Sequence, residues 1–540
     1  MRRLRFWIAT ALLLASAASV AQSQPNIVLL VADDLGYADV GFRGSDIDTP
    51  ALDRLAREGR VLNRFYTAPI CSPTRAALMT GRDPMRLGVA YNVLLPWDNG
   101  GIHPRERFMS ESFQAAGYQT AMIGKWHLGH AQQQFTPLGR GFDEFYGHLH
   151  TEVGYYPPFS IAGGKDFQHN GVSIDHEGYE TFLLAEHAAE WIRQRDKQRP
   201  FFIYLPFLAP HENLEAPDDL IEKYQGLKDQ RDSPRSPSGG TGLLSKVASG
   251  SSKRALYAAV VDAMDQAIGK VLDTLDKEGL TDNTIVVFFS DNGATRMVGR
   301  GGGDNAPFRG GKAETYEGGI RVVSMVRWPG QVAAGSETDN MLTVMDLFPT
   351  LAAAAKVPTG NELELDGDNM LPAWLRDDVP PRDKTVFFGS EIPTYGNFNF
   401  AAITEHWKLV QWVEQDPVST TVRHELFNLT NDPGEYNNLA QKYPDKVQKM
   451  ARQILEWRAL HPINGTRARL AAPPGWRAPK DWARYPRQDA ELQNEPRSSV
   501  APNRTSELIL DRRLGKRGRL IYNCQPSRII GGLCLNELIQ

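Results

Sequence analysis

Cysteine is scarce in this chain: three in 540 residues, at positions 71, 524 and 534. So sparse a set excludes a disulfide-dense extracellular scaffold and holds no Cys/His cluster with zinc-site spacing. No sign of charge dominates, with 60 Lys+Arg against 64 Asp+Glu and a net charge of -4. That balance, without any basic run, gives no case for nucleic acid as a partner. Past the N-terminus no apolar run has the length of a membrane helix. The glycine-rich stretch at 299–311 lacks GxGxxG spacing between a strand and a helix, so it is not a nucleotide loop. Internal repeats are absent. What remains, 41% hydrophobic and 23% charged residues, is the composition of a globular protein long enough for two domains, one of them large.

The N-terminus has the form of a targeting segment. Arg2, Arg3 and Arg5 precede an apolar core at 6–14, and Ser19-Val20-Ala21 is a small-x-small cleavage site. Residues 1–21 are expected to be a signal peptide. The product would be exported, periplasmic or secreted, with no transmembrane anchor after signal removal.

Buried-strand runs recur, and each ends in polar residues. The run 26–32 (NIVLLVA) ends in Asp33 and Asp34, and the run 118–123 leads to Lys125 and His127. The run 201–208 is followed by His211, and the run 284–290 (TIVVFFS) by Asp291 and Asn292. Helical patterns at 49–59, 110–116, 182–195 and 255–276 alternate with these strands. The alternation predicts an α/β fold with a mostly parallel sheet covered on both faces. Its C-terminal strand ends then meet in one crevice. Asp33, Asp34, Asp291 and Asn292 offer only oxygen ligands, which selects one hard divalent cation, Ca²⁺ or Mg²⁺. A short helix is expected to open near Cys71, with Pro73 in its first turn and Gly81 as its stop. Its free N–H groups and Arg75, one turn on, make an anion site.

The motifs carry a resemblance. Cys71-Ser72-Pro73-Thr74-Arg75, followed by Ala-Ala-Leu-Met-Thr-Gly-Arg to position 82, resembles the sulfatase signature. Gly124-Lys125-Trp126-His127-Leu128-Gly129, Pro210-His211 and Ser290-Asp291-Asn292-Gly293 are similar to further sulfatase motifs, as is Arg309-Gly310-Gly311-Lys312 with Glu317-Gly318-Gly319-Ile320-Arg321. The segment Arg140-Gly141-Phe142-Asp143 and the "ELFNLTNDPGEYNNL" stretch at 425–439 extend the resemblance over most of 25–439.

The resemblance implies an alkaline-phosphatase-like sandwich, with a large mostly parallel sheet flanked by helices and a small C-terminal antiparallel α+β domain. The expected divisions are a catalytic domain at 22–380, the small domain at 381–463 and an irregular tail at 464–540. It implies an arylsulfatase-like sulfuric ester hydrolase acting on an aryl sulfate or a sulfated carbohydrate. Cys71 would be converted to formylglycine by a formylglycine-generating enzyme during maturation. Its hydrate, a gem-diol, would be the nucleophile and pass through a covalent sulfo-enzyme intermediate. With Cys71 consumed, Cys524 and Cys534 are left to pair as a disulfide.

Carried over residue by residue, Asp33, Asp34, Cys71, Asp291 and Asn292 hold the metal, with Ca²⁺ favoured over Mg²⁺. Arg75 fixes the diol and neighbouring anionic groups. Lys125 and Lys312 hold sulfate oxygens, His127 is the base of the elimination step and His211 the acid for the leaving oxygen. Arg140 and Asp143 are expected to be structural. His148, His150 and the loop at 155–158 are expected to line the entrance, and the Ser/Pro/Gly-rich stretch 229–252 to be a lid. His187 is read as a helix-surface or packing histidine, not a ligand. The rival readings are a phosphomonoester or phosphodiester hydrolase on the same fold, and a non-catalytic sulfoglycan-binding protein.

Overall fold

The computed structural model describes residues 24–150, 153–228, 252–296, 301–360, 362–392, 397–415, 420–462 and 472–486, with the pairs 529–530 and 533–534. The expected signal peptide, all but the last residue of the expected lid and most of the tail lie outside the described residues, as does Cys524.

A 10-stranded mixed sheet organises the large domain. Its centre is parallel: Thr284–Ser290, Asn26–Ala32, Phe201–Pro206, Gln119–Lys125 and Glu144–His148 lie side by side in that order. Asn26–Ala32 sits between the strands that follow it from opposite halves of the chain. Every residue of it is buried, as a parallel strand covered on both faces requires. Its side chains alternate between two cores. Val28 and Leu30 pack with helices Pro50–Glu58, Glu180–Gln194 and Lys253–Lys277. Ile27, Leu29 and Val31 pack with helices Cys71–Thr80, Met109–Ala115 and Leu347–Ala355. The long helix starts where Ser252 caps it, its hydroxyl accepting from the Ala255 amide at 3.0 Å.

Residues 60–66 divide between two sheets. Arg60–Leu62 joins the large sheet, and Phe65–Tyr66 pairs with Arg321–Val322 and Leu342–Thr343. Arg140 is buried with its guanidinium 3.8 Å from the centre of the Phe108 ring and donates to the Ile102 carbonyl at 3.2 Å. Asp143 accepts from the Thr120 amide at 3.1 Å, so both act structurally.

The small C-terminal sheet is antiparallel, with strands Val386–Ile392, Asn397–Ile403, Trp407–Gln415 and Thr420–Asn428, and helix Pro444–Arg458 packs against it. A buried ion network joins it to the large domain. Lys408 donates to Glu317 at 3.0 Å and lies 2.9 Å from Glu435, while Glu435 accepts from the Glu317 amide at 2.6 Å. Tyr66 donates to the other Glu317 oxygen at 2.8 Å. The Glu-Gly-Gly and Asp-Pro-Gly-Glu motifs thus meet each other and close the domain junction.

The tail segment 472–486 crosses back to the large domain. Trp482 is fully buried with its ring centre 3.9 Å from that of His150 and 5.4 Å from that of His130. This overturns one expectation. His148 and His150 do not line an entrance: both are buried, His148 within 2.7 Å of the His150 carbonyl and His150 beneath Trp482. In the same loop Tyr155 is buried, whereas Tyr156 is exposed. Among the described residues no helix is long and apolar enough to cross a membrane.

Candidate active site

The hydrogen-bond ladder continues past the strand ends and sets the acids side by side. The Asp33 amide donates to the Ala209 carbonyl at 3.0 Å, and the Asp291 amide to that of Ala32 at 2.9 Å. Asp34 then turns into the left-handed region, φ 69°, which brings its carboxylate back toward Asn292. Asn292 donates to Asp34 Oδ1 at 2.6 Å. Ser290 holds this turn, accepting from Leu35 and donating to the Asn292 carbonyl.

Cys71 opens the helix Cys71–Thr80, every residue of which is buried. Gly81, at φ 65°, ends it and returns its amide to the Ala77 carbonyl. The Cys71 thiol lies 3.4 Å from Asp33 Oδ1. Burial, then the Asp291 and Asp33 carboxylates, push that thiol well above its ordinary range. Arg75 is fully buried one turn on. It donates to Asp291 Oδ2 at 3.1 and 2.8 Å, to Asp33 Oδ2 at 3.0 Å and to the Lys125 carbonyl at 2.9 Å. The guanidinium therefore braces the acids; its donors are not directed outward at an incoming anion as the sequence suggests.

Lys125 is buried and donates to Asp33 Oδ2. Lys312 reaches Asp34 Oδ2 at 2.7 Å. The glycine-rich approach to Lys312 runs tight against the long helix. At Gly303 a side chain would meet Tyr257 and Ala294, and Asn305 pins the loop through Ala294 and Gly310. Burial opposes charge on Asp33, but Lys125, His211, Arg75 and Lys312 together hold its carboxyl far below the usual range. Asp291 moves the other way, to about 6, through burial and the neighbouring Asp33 charge.

The two histidines are held in different states of readiness. His127, at φ 63°, sits with Nε2 3.1 Å from the Leu94 carbonyl, so Nε2 carries the proton. Nδ1 is left buried with no hydrogen-bond partner. Burial, ahead of Lys125 and Arg75, pushes the His127 ring well below its ordinary value and keeps it neutral. His211 faces the Glu212 carbonyl through Nδ1 at 3.1 Å and Asp34 through Nε2 at 3.8 Å. Burial and Lys312 lower it too.

Three further residues support the site. Ser72 donates to the His127 carbonyl at 3.0 Å and accepts from the Leu94 amide at 3.1 Å. Tyr155 donates to the His211 carbonyl at 2.9 Å. Tyr257 accepts from the Gly36 amide at 3.0 Å. Only Ser72, inside the cysteine motif, could have been suspected from sequence.

The residues present could hold a metal ion. Asp33, Asp34, Cys71 and His211 present ligand atoms within 4.8 Å of one another, and Oδ1 of Asn292 is buried and accepts no hydrogen bond. An unpaired buried acceptor beside three carboxylates is costly unless a cation completes it.

A sequence model of the family Sulfatase matches residues 25–357, and one described as N-sulphoglucosamine sulphohydrolase, C-terminal, matches 311–459. Human N-acetylgalactosamine-6-sulfatase is 34% identical over 77% of this chain and 82% of its own length. Mouse arylsulfatase J is 29% identical over 82% of this chain and 77% of its own. The solved structure of Ps i-CgsB in complex with k-i-k-neocarrahexaose superposes with a TM-score of 0.70 at 32% identity, covering 88% of this chain and 98% of that one. The chain belongs to the sulfatase family and is a sulfuric ester hydrolase.

Proposed function

We propose that the chain releases sulfate from sulfated carbohydrates through a formylglycine made from Cys71. The observation that carries this reading is the Cys71 side chain, 3.4 Å from Asp33, inside one buried cluster of three acids, two lysines and an arginine. A divalent cation held by Asp33, Asp34, Asp291 and Asn292, for which oxygen-only donors favour Ca²⁺, supplies positive charge against the sulfate oxygens when bound. The hydrated aldehyde at position 71 would be the nucleophile toward sulfur, its oxygen bonding to sulfur as the bond from sulfur to the alcohol oxygen breaks, leaving a sulfo-enzyme and the freed alcohol. Lys125 and Lys312 stabilise the sulfate's charge. His127 would take the remaining hydroxyl proton at Nδ1, its Nε2 being held by Leu94, as the bond from the residue-71 carbon to the sulfate oxygen breaks, which expels sulfate and regenerates the aldehyde. His211 serves the leaving oxygen from Nε2. Because Nδ1 faces a carbonyl, this requires a second proton on the ring, which the substrate's negative charge favours.

The carbohydrate part of the reading is supported by Ps i-CgsB, whose structure holds k-i-k-neocarrahexaose. A formylglycine-generating enzyme is the maturation partner, and residues 1–21 direct export. The test is a panel of sulfated mono- and oligosaccharides and aryl sulfates against matched phosphate esters. Sulfate release with little phosphate turnover is expected, with activity lost to chelator and restored by Ca²⁺. Preference for phosphate would overturn the reading in favour of the phosphoester hydrolase.

A further inference from the structure

A second cluster of ligating side chains lies away from the crevice. Glu144 is the first residue of strand Glu144–His148, so it sits at the strand end opposite the active site. His169 comes from the two-residue strand Gln168–His169 at the sheet's margin, and His187 from helix Glu180–Gln194. Nε2 of His169 and Nε2 of His187 each lie 2.8 Å from the same oxygen, Glu144 Oε1. The three ligand atoms all fall within 4.8 Å of one another. The other Glu144 oxygen is taken by Asn170 at 2.9 Å, which orients the carboxylate.

The His187 ring is fixed independently. It stacks on Tyr146 at 4.0 Å between centres and 6° between planes. It is thus the packing residue the sequence suggests, yet its Nε2 is aimed at the acid. Side-chain exposures of 43% for His169, 21% for His187 and 15% for Glu144 leave the cluster open to solvent on one side.

We propose that Glu144, His169 and His187 form a second, non-catalytic metal site for a zinc-class divalent ion, with water in the fourth position. Two imidazoles and one carboxylate are the donor set such ions take, whereas Ca²⁺ and Mg²⁺ prefer oxygen alone. The site differs in this from the oxygen-rich crevice. A tetrahedral ion with bonds of about 2.0–2.1 Å spaces its ligands by roughly 3.3 Å. The present separations need only a small opening, which the exposed His169 on its short marginal strand can supply. Binding ties the edge hairpin and the helix to the sheet, and so stabilises the folded chain by mass action.

The experiment uses full-length protein without a polyhistidine tag, saturated with Ca²⁺ to fill the oxygen site. Zn²⁺ binding is followed by calorimetry, and Co²⁺ binding by its visible ligand-field absorption. One further equivalent of Zn²⁺, a tetrahedral cobalt band and a rise in melting temperature with Zn²⁺ are expected. His169→Ala and Glu144→Gln should each weaken that equivalent roughly tenfold or more, about 1.4 kcal/mol, and abolish the cobalt band. Sulfate release should be unchanged. His169 is the most exposed of the three, so its variant keeps the test decisive if His187→Ala fails to fold. No binding beyond the Ca²⁺-filled site, or equal Zn²⁺ binding by the variants, would overturn the proposal. Neither outcome touches the active-site reading.

Discussion

Arg75 and Asp291, 216 residues apart, are joined by two hydrogen bonds onto one carboxylate oxygen, at 3.1 and 2.8 Å, with neither side chain exposed to water. The same guanidinium reaches Asp33, so the helix that carries Cys71 is locked to two strand ends at once. Arg75→Met leaves both acids without their brace. Breaking a buried pair in this way costs about 3–5 kcal/mol. We expect lower stability in urea and loss of sulfate release, with Arg75→Lys recovering some stability but little turnover, because one ammonium cannot reproduce the fork.

Ser72 tests the positioning of His127 without touching any charged group. Ser72→Ala removes one donor to the His127 carbonyl and one acceptor for Leu94, whose own carbonyl holds the imidazole. The expected stability loss is about 1–3 kcal/mol. Steady-state kinetics should show kcat falling with KM little changed.

Lys408 is the centre of the domain junction. Lys408→Met removes the cation that Glu317 and Glu435 share and leaves Glu317 only Arg321, at 3.4 Å. Already in the native protein burial pushes Glu435 up to about 7, with the Glu317 charge adding to it and Lys408 opposing. A loss of about 3–5 kcal/mol is expected in denaturant unfolding. Lys408→Met with Glu435→Gln should recover part of it, since one of the two like charges is then gone.

Asp265 gives the sign of one pH effect. It accepts from the Ala51 and Leu52 amides, but burial dominates and raises its carboxyl from 3.8 to about 7. A raised folded value means that the folded chain holds the proton where the unfolded chain has lost it. This contribution to stability is therefore complete below about pH 4 and is lost as pH rises toward 7, at up to about 1.4 kcal/mol per pH unit. Asp39, Asp83 and Asp166, each raised to about 6 chiefly by burial, act in the same direction. Melting temperatures of wild type and Asp265→Asn should diverge between pH 4 and 7, with the variant showing the flatter profile.

The strand exits were legible because a buried parallel strand is a continuous apolar run, and polar residues at its end stand out. Asp33, Asp34, Lys125, His127, His211, Asp291 and Asn292 could all be placed in one crevice on that ground. The direction of Arg75's donors was not legible, since it depends on how closely Asp33 and Asp291 stand once the ladder has formed. His148 and His150 were misplaced because the residue that covers His150, Trp482, lies more than 300 positions away in a stretch with no periodic pattern. The Glu317 and Glu435 motifs were visible, but their meeting through Lys408 needed the two domains to be docked.

The most direct measurement is the mass of the Cys71-containing peptide from active enzyme made alongside a formylglycine-generating system. Conversion of thiol to aldehyde predicts a peptide lighter by about 18 Da than its unmodified form, with the converted fraction rising in step with sulfate release. Full activity in a preparation whose position 71 is entirely unmodified cysteine would contradict the account.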